Sequence, residues 1–141
     1  MMDGVLADIA RAWAVAPENE PALAEDAYEM LDRATAARRA HGSGGPVWAA
    51  ARLAEGLARF LVARQMAEWN NRSYALQAAE ASIDALRDAA ASLPDAFTPS
   101  RAAVSAFRER LLHEWHAAQS EPDLNRIANL TVAGLRDEGH R

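Results

Sequence analysis

The chain has 141 residues, the size of one ordinary domain, and 50% of them are hydrophobic. It contains no cysteine, which excludes disulfides, thiolate nucleophiles and cysteine-ligated zinc. All of its basic residues are arginine, which excludes Schiff-base lysines and the phosphate-binding lysine of a P-loop. The formal net charge is −5, so the chain lacks the basic surface by which proteins usually bind nucleic acid or anionic lipid. We therefore expect neither nucleic acid nor a membrane as its partner.

Alanine supplies about half of the hydrophobic residues, and aromatic residues make up only 6% of the chain. Small side chains allow helices to pack near the short end of the usual ~8–10 Å range of interaxial distances, around a thin core. A thin core predicts either marginal stability or stabilisation by a bound partner. The first ten residues, MMDGVLADIA, lack the basic start and the apolar run of a secretion signal, so the expected location is the cytoplasm.

Proline and glycine divide the chain into helices, and no segment alternates apolar and polar residues as a strand does. The first helix is predicted over about Asp3–Val15. Pro21 suits the first turn of a second helix over about 21–41, which Gly42 is placed to end. These breaks predict short connections between neighbouring helices.

A third helix is predicted over about 46–69. Its inward face is predicted to carry Leu53, Leu57, Phe60, Leu61 and Trp69. Its opposite face carries charges of alternating sign, namely Arg52, Glu55, Arg59, Arg64, Glu68 and Arg72. Such a stripe is either a docking face or an ordinary solvated helix surface, and the regular i,i+4 pairing favours the solvated surface.

Asn70 and Asn71 predict a tight turn after the third helix, although a kinked continuation into one long helix stays open. The fourth helix then runs to Pro94 with large and small apolar residues alternating along one seam. The fifth is predicted to begin with Thr98 as its N-cap and Pro99 in its first turn. Its core stripe is predicted to be Val104, Phe107, Leu111, Trp115 and Ala118. A last helix is predicted over about 121–137, carrying Leu124, Ile127, Leu130 and Leu135.

Helices of matched length joined by short turns are typical of an antiparallel four-helix bundle. The sequence therefore predicts an all-α fold, a single domain over residues 1–141. It would contain five to six helices around an antiparallel four-helix core, with the shorter first and last helices lying across it.

The segment RERLLHEWHAAQ, residues 108–119, holds the side chains that most resemble a metal site. At 100° per residue, Glu109, His113 and His116 share one helix face. That face lies almost opposite the core stripe of the same helix, so the three side chains should point to solvent. A metal site in this position would be weak or shared with a second protomer, and a solvated face is favoured. We expect no bound cofactor.

The chain has four tryptophans, each of which can anchor its helix in an alanine-rich core. Tryptophan is also enriched at interaction hot spots, and Trp48 follows the flexible GSGGP loop. The candidate interface residues are therefore Trp48 together with Arg52 and Arg59 of the charged stripe.

No residues form a recognisable catalytic constellation, so the leading functional expectation is a non-enzymatic helical interaction module. It would be a small bacterial accessory or regulatory subunit that binds another protein or itself, with a defence-type system as one setting. The first alternative is a helical bundle that binds a small molecule or metal through Glu109, His113 and His116. The second is an acidic inhibitor that blocks a basic surface, with binding that weakens as salt rises.

Overall fold

The structure is a computed structural model that describes residues 2–132, and within this range it contains helices and turns but no strand. The predicted all-α helical bundle is confirmed. The helices are α1 (Met2–Ala14), α2 (Glu20–Ala24), α3 (Ala27–His41), α4 (Gly45–Glu68), α5 (Arg72–Ser92), α6 (Arg101–Ala118) and α7 (Asn125–Ala128). A short 3-10 turn over Pro17–Asn19 leads into α2. In the part of the chain described here, no helix is both long and apolar enough to cross a bilayer.

Helix α4 occupies the centre of the bundle. It packs against α1, α2, α3, α5 and α7, and its Phe60 ring meets Phe107 of α6 edge to face at a centroid distance of 5.1 Å. The consecutive residues 53–58 of α4 are all buried. Because successive residues point 100° apart around a helix, α4 is covered around its whole circumference at this level.

Helix α1 contributes to the core. It packs on α3 and α4, and the Trp13 ring lies 5.8 Å from the ring of Phe107 on α6, again edge to face. Val5 and Ile9 on the same face of α1 are buried. Edge-to-face aromatic pairs add about 0.5–1.5 kcal/mol to the burial of the rings. Helix α1 therefore joins α6 to the α3–α4 side of the bundle.

The α4–α5 contact is close because small residues line it. The Ser82 hydroxyl donates a 2.6 Å hydrogen bond to the carbonyl oxygen of Gly56, across the two helices. A Cβ atom added at Gly56 would lie 2.9 Å from Leu86 side-chain atoms, so this position requires glycine for steric reasons. Small residues thus allow α4 and α5 to pack closely, as the alternation of large and small residues in α5 predicts.

Two predicted helix limits are wrong. The segment 21–41 is interrupted between α2 and α3, where the N–H groups of Glu25 and Asp26 donate to the carbonyls three residues before them and tighten the chain. Helix α6 begins at Arg101, later than predicted, because Ser100 rather than Thr98 is the N-cap. The Ser100 hydroxyl accepts a 3.1 Å hydrogen bond from the Ala103 N–H.

The predicted last helix is interrupted within the described residues, because α7 covers Asn125–Ala128, residues 129–131 are not helical, and Val132 is helical again. Residues 133–137 of the predicted span lie outside the described residues. Its predicted apolar residues Leu124, Ile127 and Leu130 are buried, whereas Leu135 lies outside the described residues. The turn predicted at Asn70 is confirmed and the kinked continuation is not. Asn70 has a positive φ of 57°, and Asn71 caps α5 by accepting a hydrogen bond from the Tyr74 N–H.

Arg52, Glu55 and Arg64 of the charged stripe pair with residues of neighbouring helices, so the interpretation as a solvated surface is wrong for them, whereas Glu68 is exposed. Glu55 is only 1% exposed, with Oε1 accepting from Arg38 Nε at 2.7 Å and Oε2 accepting from Thr35 Oγ1 at 3.1 Å. Arg52 Nε donates to Asp88 Oδ2 of α5 at 3.0 Å and also pairs with Glu55. These ion pairs join α3 and α5 across α4.

A second buried charge lies near the other end of α4. Glu20 is fully buried, pairs with Arg64 of α4 and accepts a 2.6 Å hydrogen bond from the Val132 N–H. One carboxylate therefore ties α2, α4 and the chain after α7 together. A buried carboxylate is tolerated only when such partners replace its hydration.

Candidate functional site

Large hydrophobic side chains are exposed at few positions of residues 2–132, and most of these positions are close together. Tyr28 is 48% exposed, Trp69 68% and Tyr74 44%, whereas Leu6 on α1 is 39% exposed and lies elsewhere. Tyr28 belongs to the first turn of α3, Trp69 caps the C-terminus of α4, and Tyr74 belongs to the first turn of α5. The antiparallel connections bring these three helix ends to one end of the bundle.

Two adjoining depressions lie between these aromatic side chains. The first has a volume of about 340 Å³ and is lined by Leu31 of α3, Arg59 of α4, and Tyr74 and Gln77 of α5. The second has a volume of about 420 Å³ and is lined by Ala24, Glu25, Gln65, Met66 and Trp69. Tyr28 and Val62 line both. We call this combined surface the aromatic groove, defined by Tyr28, Arg59, Val62, Met66, Trp69 and Tyr74.

A hydrogen bond between two tyrosines spans the aromatic groove. The hydroxyl oxygens of Tyr28 and Tyr74 lie 3.1 Å apart, and one donates to the other. This hydrogen bond raises the pKa of Tyr28 above its ordinary value, and partial burial and the nearby Tyr74 raise it further. The Tyr28 phenol is therefore neutral at physiological pH, and the middle of the groove presents aromatic rings.

The groove opens over only one part of α4. One turn before Arg59, the ion pairs of Glu55 with Arg38 and Arg52 hold the flanking helices over α4. Beyond Arg59, Val62 lies between Tyr28 of α3 and Tyr74 of α5, whereas Met66 lies in the second depression beside Ala24 of α2. The arrangement is an open, mostly apolar trough with a cationic side chain, Arg59, in the first depression and an acidic one, Glu25, in the second.

Of the three residues predicted for an interface, the structure places one in this groove. Arg59 lines the first depression. Trp48 is half-buried and packs against the core, whereas Arg52 is held by Asp88 and Glu55. Of the three predicted interface residues, Arg59 therefore lines the groove, and Trp48 and Arg52 do not.

Trp69 was predicted to point inward and is instead the most exposed large hydrophobic side chain of the described residues. The reason is local. Trp69 is the C-cap of α4, with φ −83° and ψ 2°, and the chain turns through Asn70 directly after it. Helical periodicity does not fix side-chain direction beyond the last regular turn. The Asn70–Asn71 turn signal was the sequence feature that could have revealed this.

The proposed metal ligands lie on the solvent-facing side of α6. Glu109 and His113 have side chains that are 70% and 73% exposed, and His116 is exposed as well. Glu109 pairs with Arg108, His113 lies 3.8 Å from Glu114, and the His116 ring lies 5.0 Å from Trp115. Within residues 2–132, no three His, Asp or Glu side chains are grouped so that they could hold a metal ion.

A further apolar crevice lies between α1 and the segment that precedes α6. It has a volume of about 490 Å³ and is lined by Ala10, Trp13 and Ala14 of α1 and by residues 97–100. Its large side chains, Trp13 and Phe97, are buried or half-buried. This crevice therefore presents fewer exposed anchors than the aromatic groove.

Comparisons of the chain with protein-family models, with curated proteins and with solved structures found no match.

Proposed function

We propose that the protein is a non-enzymatic helical interaction module, an accessory or regulatory subunit of the cytoplasm. In this proposal the aromatic groove binds an apolar segment of another protein. The single observation that supports it is the convergence of Tyr28, Trp69 and Tyr74 on one groove, while most other large hydrophobic side chains of residues 2–132 are buried.

The residue types in the groove suit protein recognition. Tryptophan, tyrosine and arginine are the residues most enriched at binding hot spots, and rigid aromatic rings lose little conformational entropy on binding. Grouped exposure of such side chains is also costly in water unless a partner covers them. The groove thus has both the anchors for a partner and a reason to be covered.

The shape of the groove favours a helical segment. Helices α3 and α5 flank α4 at the first depression, and Ala24 at the end of α2 borders the second depression. An amphipathic helix placed there would pass over the Tyr28–Tyr74 pair and pack its apolar stripe on the two tyrosine rings, Met66 and Trp69. Helix-in-groove binding of this kind uses anchors spaced at i, i+3, i+4 and i+7.

The test is capture from a lysate of the host with three matched forms of the full chain, read by quantitative mass spectrometry. The groove variant is Tyr28→Ser with Trp69→Ser, and the control is Leu6→Ser, which removes an exposed hydrophobic side chain elsewhere. Loss of hot-spot residues costs about 2 kcal/mol or more, so we expect the groove variant to retain less than a tenth of a partner protein.

The control variant should retain that partner as well as the natural chain does. The proposal is contradicted if the groove variant still captures the partner. It is also contradicted if the folded natural chain captures no partner at all. Far-UV circular dichroism of the three forms establishes that each is folded.

A further inference from the structure

Arg59 is the half-buried arginine of residues 2–132 that has no ion pair or hydrogen bond in that range. Nearly all other arginines there contact a carboxylate or a backbone carbonyl. Arg38, Arg52 and Arg64 on either side of it are examples. Arg39 also lacks a partner within residues 2–132, but it is exposed near the end of α3.

The groups around Arg59 are already occupied. The hydroxyls of Tyr28 and Tyr74 bond to each other. One turn earlier on α4, Glu55 accepts hydrogen bonds at both of its carboxylate oxygens from Thr35, Arg38 and Arg52. Glu55 is therefore not available to Arg59, and Arg59 forms no ion pair with any carboxylate of residues 2–132, including Glu25 of the second depression. A guanidinium beside an apolar surface gains most from an ionised partner.

We propose that the partner segment presents a carboxylate to Arg59 while its apolar side chains cover Val62, Met66 and Trp69. This inference rests on the proposed function and adds the chemistry of the partner. Arg59 and Trp69 are ten residues apart on α4, which places them about 15 Å apart along the helix axis. The segment would thus be an amphipathic helix of about three turns with an Asp or Glu near one end of its apolar stripe.

A segment of another protein fits this surface better than a second copy of the chain. In a symmetric dimer the same patch meets itself, and each concave groove would have to fill the other. The exposed aromatic residues line the walls and end of the trough, and its floor at Val62 is buried. Dimerisation through the groove is accordingly an outcome that would overturn the proposal.

The probe is a phage-displayed library of random 16-residue peptides, selected against the intact chain. We expect the natural chain to enrich peptides that combine Asp or Glu with aromatic and aliphatic residues at helical spacing. Arg59→Glu should instead enrich peptides with Arg or Lys at the position of that acid. Arg39→Glu makes the same change of charge outside the groove and should leave the selected pattern unchanged.

Affinities of the best synthetic peptide give the quantitative test. Arg59→Glu should raise the Kd of the acidic peptide at least tenfold, and changing the peptide acid to arginine should restore the Kd to within about threefold. Fluorescence anisotropy of the labelled peptide measures both changes. Restoration by the second change shows direct pairing, which an indirect structural effect of the substitution does not produce.

Three results overturn the inference in distinguishable ways. In the first, Trp69→Ser abolishes peptide binding but Arg59→Glu leaves the Kd unchanged. The groove then binds peptides, and the proposed carboxylate partner of Arg59 is wrong. If no peptide is enriched, or if the enriched peptides bind Trp69→Ser equally well, the proposed function fails as well. A dimer of the natural chain that Trp69→Ser dissociates, detected by analytical ultracentrifugation, assigns the groove to a second copy.

Discussion

The hydroxyl oxygens of Tyr28 on α3 and Tyr74 on α5 lie 3.1 Å apart, joining two helices that otherwise meet mainly through α4. At the opposite side of Arg59 the same two helices are joined by the buried ion pairs of Glu55, Arg38, Arg52 and Asp88. One connection is exposed and neutral, and the other is buried and charged. The aromatic groove lies on the side of Arg59 where α3 and α5 are joined by the exposed tyrosine pair.

The tyrosine pair gives the first prediction, which concerns pH. The hydrogen bond to Tyr74 is the largest of the effects that raise the pKa of Tyr28 above 10.0. Tyr74→Phe removes the bond, so Tyr28 should ionise at a lower pH than in the natural chain. The chain has two tyrosines, so the absorbance of tyrosinate at 295 nm in this variant reports Tyr28 alone.

The same bond sets the direction of a stability change. Because folding raises the pKa of Tyr28, its contribution to stability is complete below pH 10 and is lost as pH rises through the folded pKa. The natural chain should therefore lose more stability than Tyr74→Phe above pH 10. The 295 nm absorbance of the natural chain and of Tyr74→Phe can each be divided by the number of tyrosines. If the two curves against pH then superimpose, the hydrogen bond between Tyr28 and Tyr74 is contradicted.

The second prediction concerns the α4–α5 contact. Gly56→Ala would place a methyl group 2.9 Å from Leu86, so the free energy of unfolding should fall by about 1–3 kcal/mol. Gly4→Ala is the matched control, because its new methyl group would lie 3.6 Å from Arg33 in ordinary contact. It should stabilise α1 by up to about 1 kcal/mol. Urea unfolding measures both, and equal effects of the two changes would show that the helices are not in close contact.

The third prediction concerns the buried carboxylate Glu20. Arg64→Ala would remove a guanidinium that pairs with the buried carboxylate of Glu20, and we expect a loss of about 3–5 kcal/mol in the free energy of unfolding. Glu20→Gln combined with Arg64→Leu removes both charges and keeps an acceptor for the Val132 N–H. This double variant should recover a large part of the loss.

Arg39→Ala is the control for that series, because Arg39 is exposed and should change stability by no more than about 0.5 kcal/mol. Urea unfolding of all variants gives the comparison. If Arg64→Ala costs no more than Arg39→Ala, the Glu20–Arg64 pair does not hold α2 on α4.

The sequence predicts the helices well because their limits are encoded by single residues. Gly42, Asn70 and Pro94 each lie at or beside an observed helix end. The core stripe of α6 is also confirmed, since Phe107 and Leu111 are fully buried. Such features depend on neighbours three or four residues away, which the sequence displays directly.

The site is less predictable because it depends on residues that are distant in the sequence. Tyr28 and Tyr74 are 46 residues apart and meet only after α3 and α5 have packed on α4. The charges of α4 looked solvated because their partners, Arg38 and Asp88, belong to other helices. Arg59 stands out only once its neighbours in the stripe are seen to be paired.

The most direct test of the groove as a protein-binding surface is site-specific photo-crosslinking in the host, with p-benzoylphenylalanine at one position at a time. Gln77 lines the groove without being one of its aromatic anchors, and His113 is exposed on α6, outside the residues that line the groove. We predict a discrete crosslinked partner from position 77 that disappears when Trp69→Ser is added, and none from position 113. Crosslinking from position 113 alone, or from position 77 regardless of Trp69, would contradict the account.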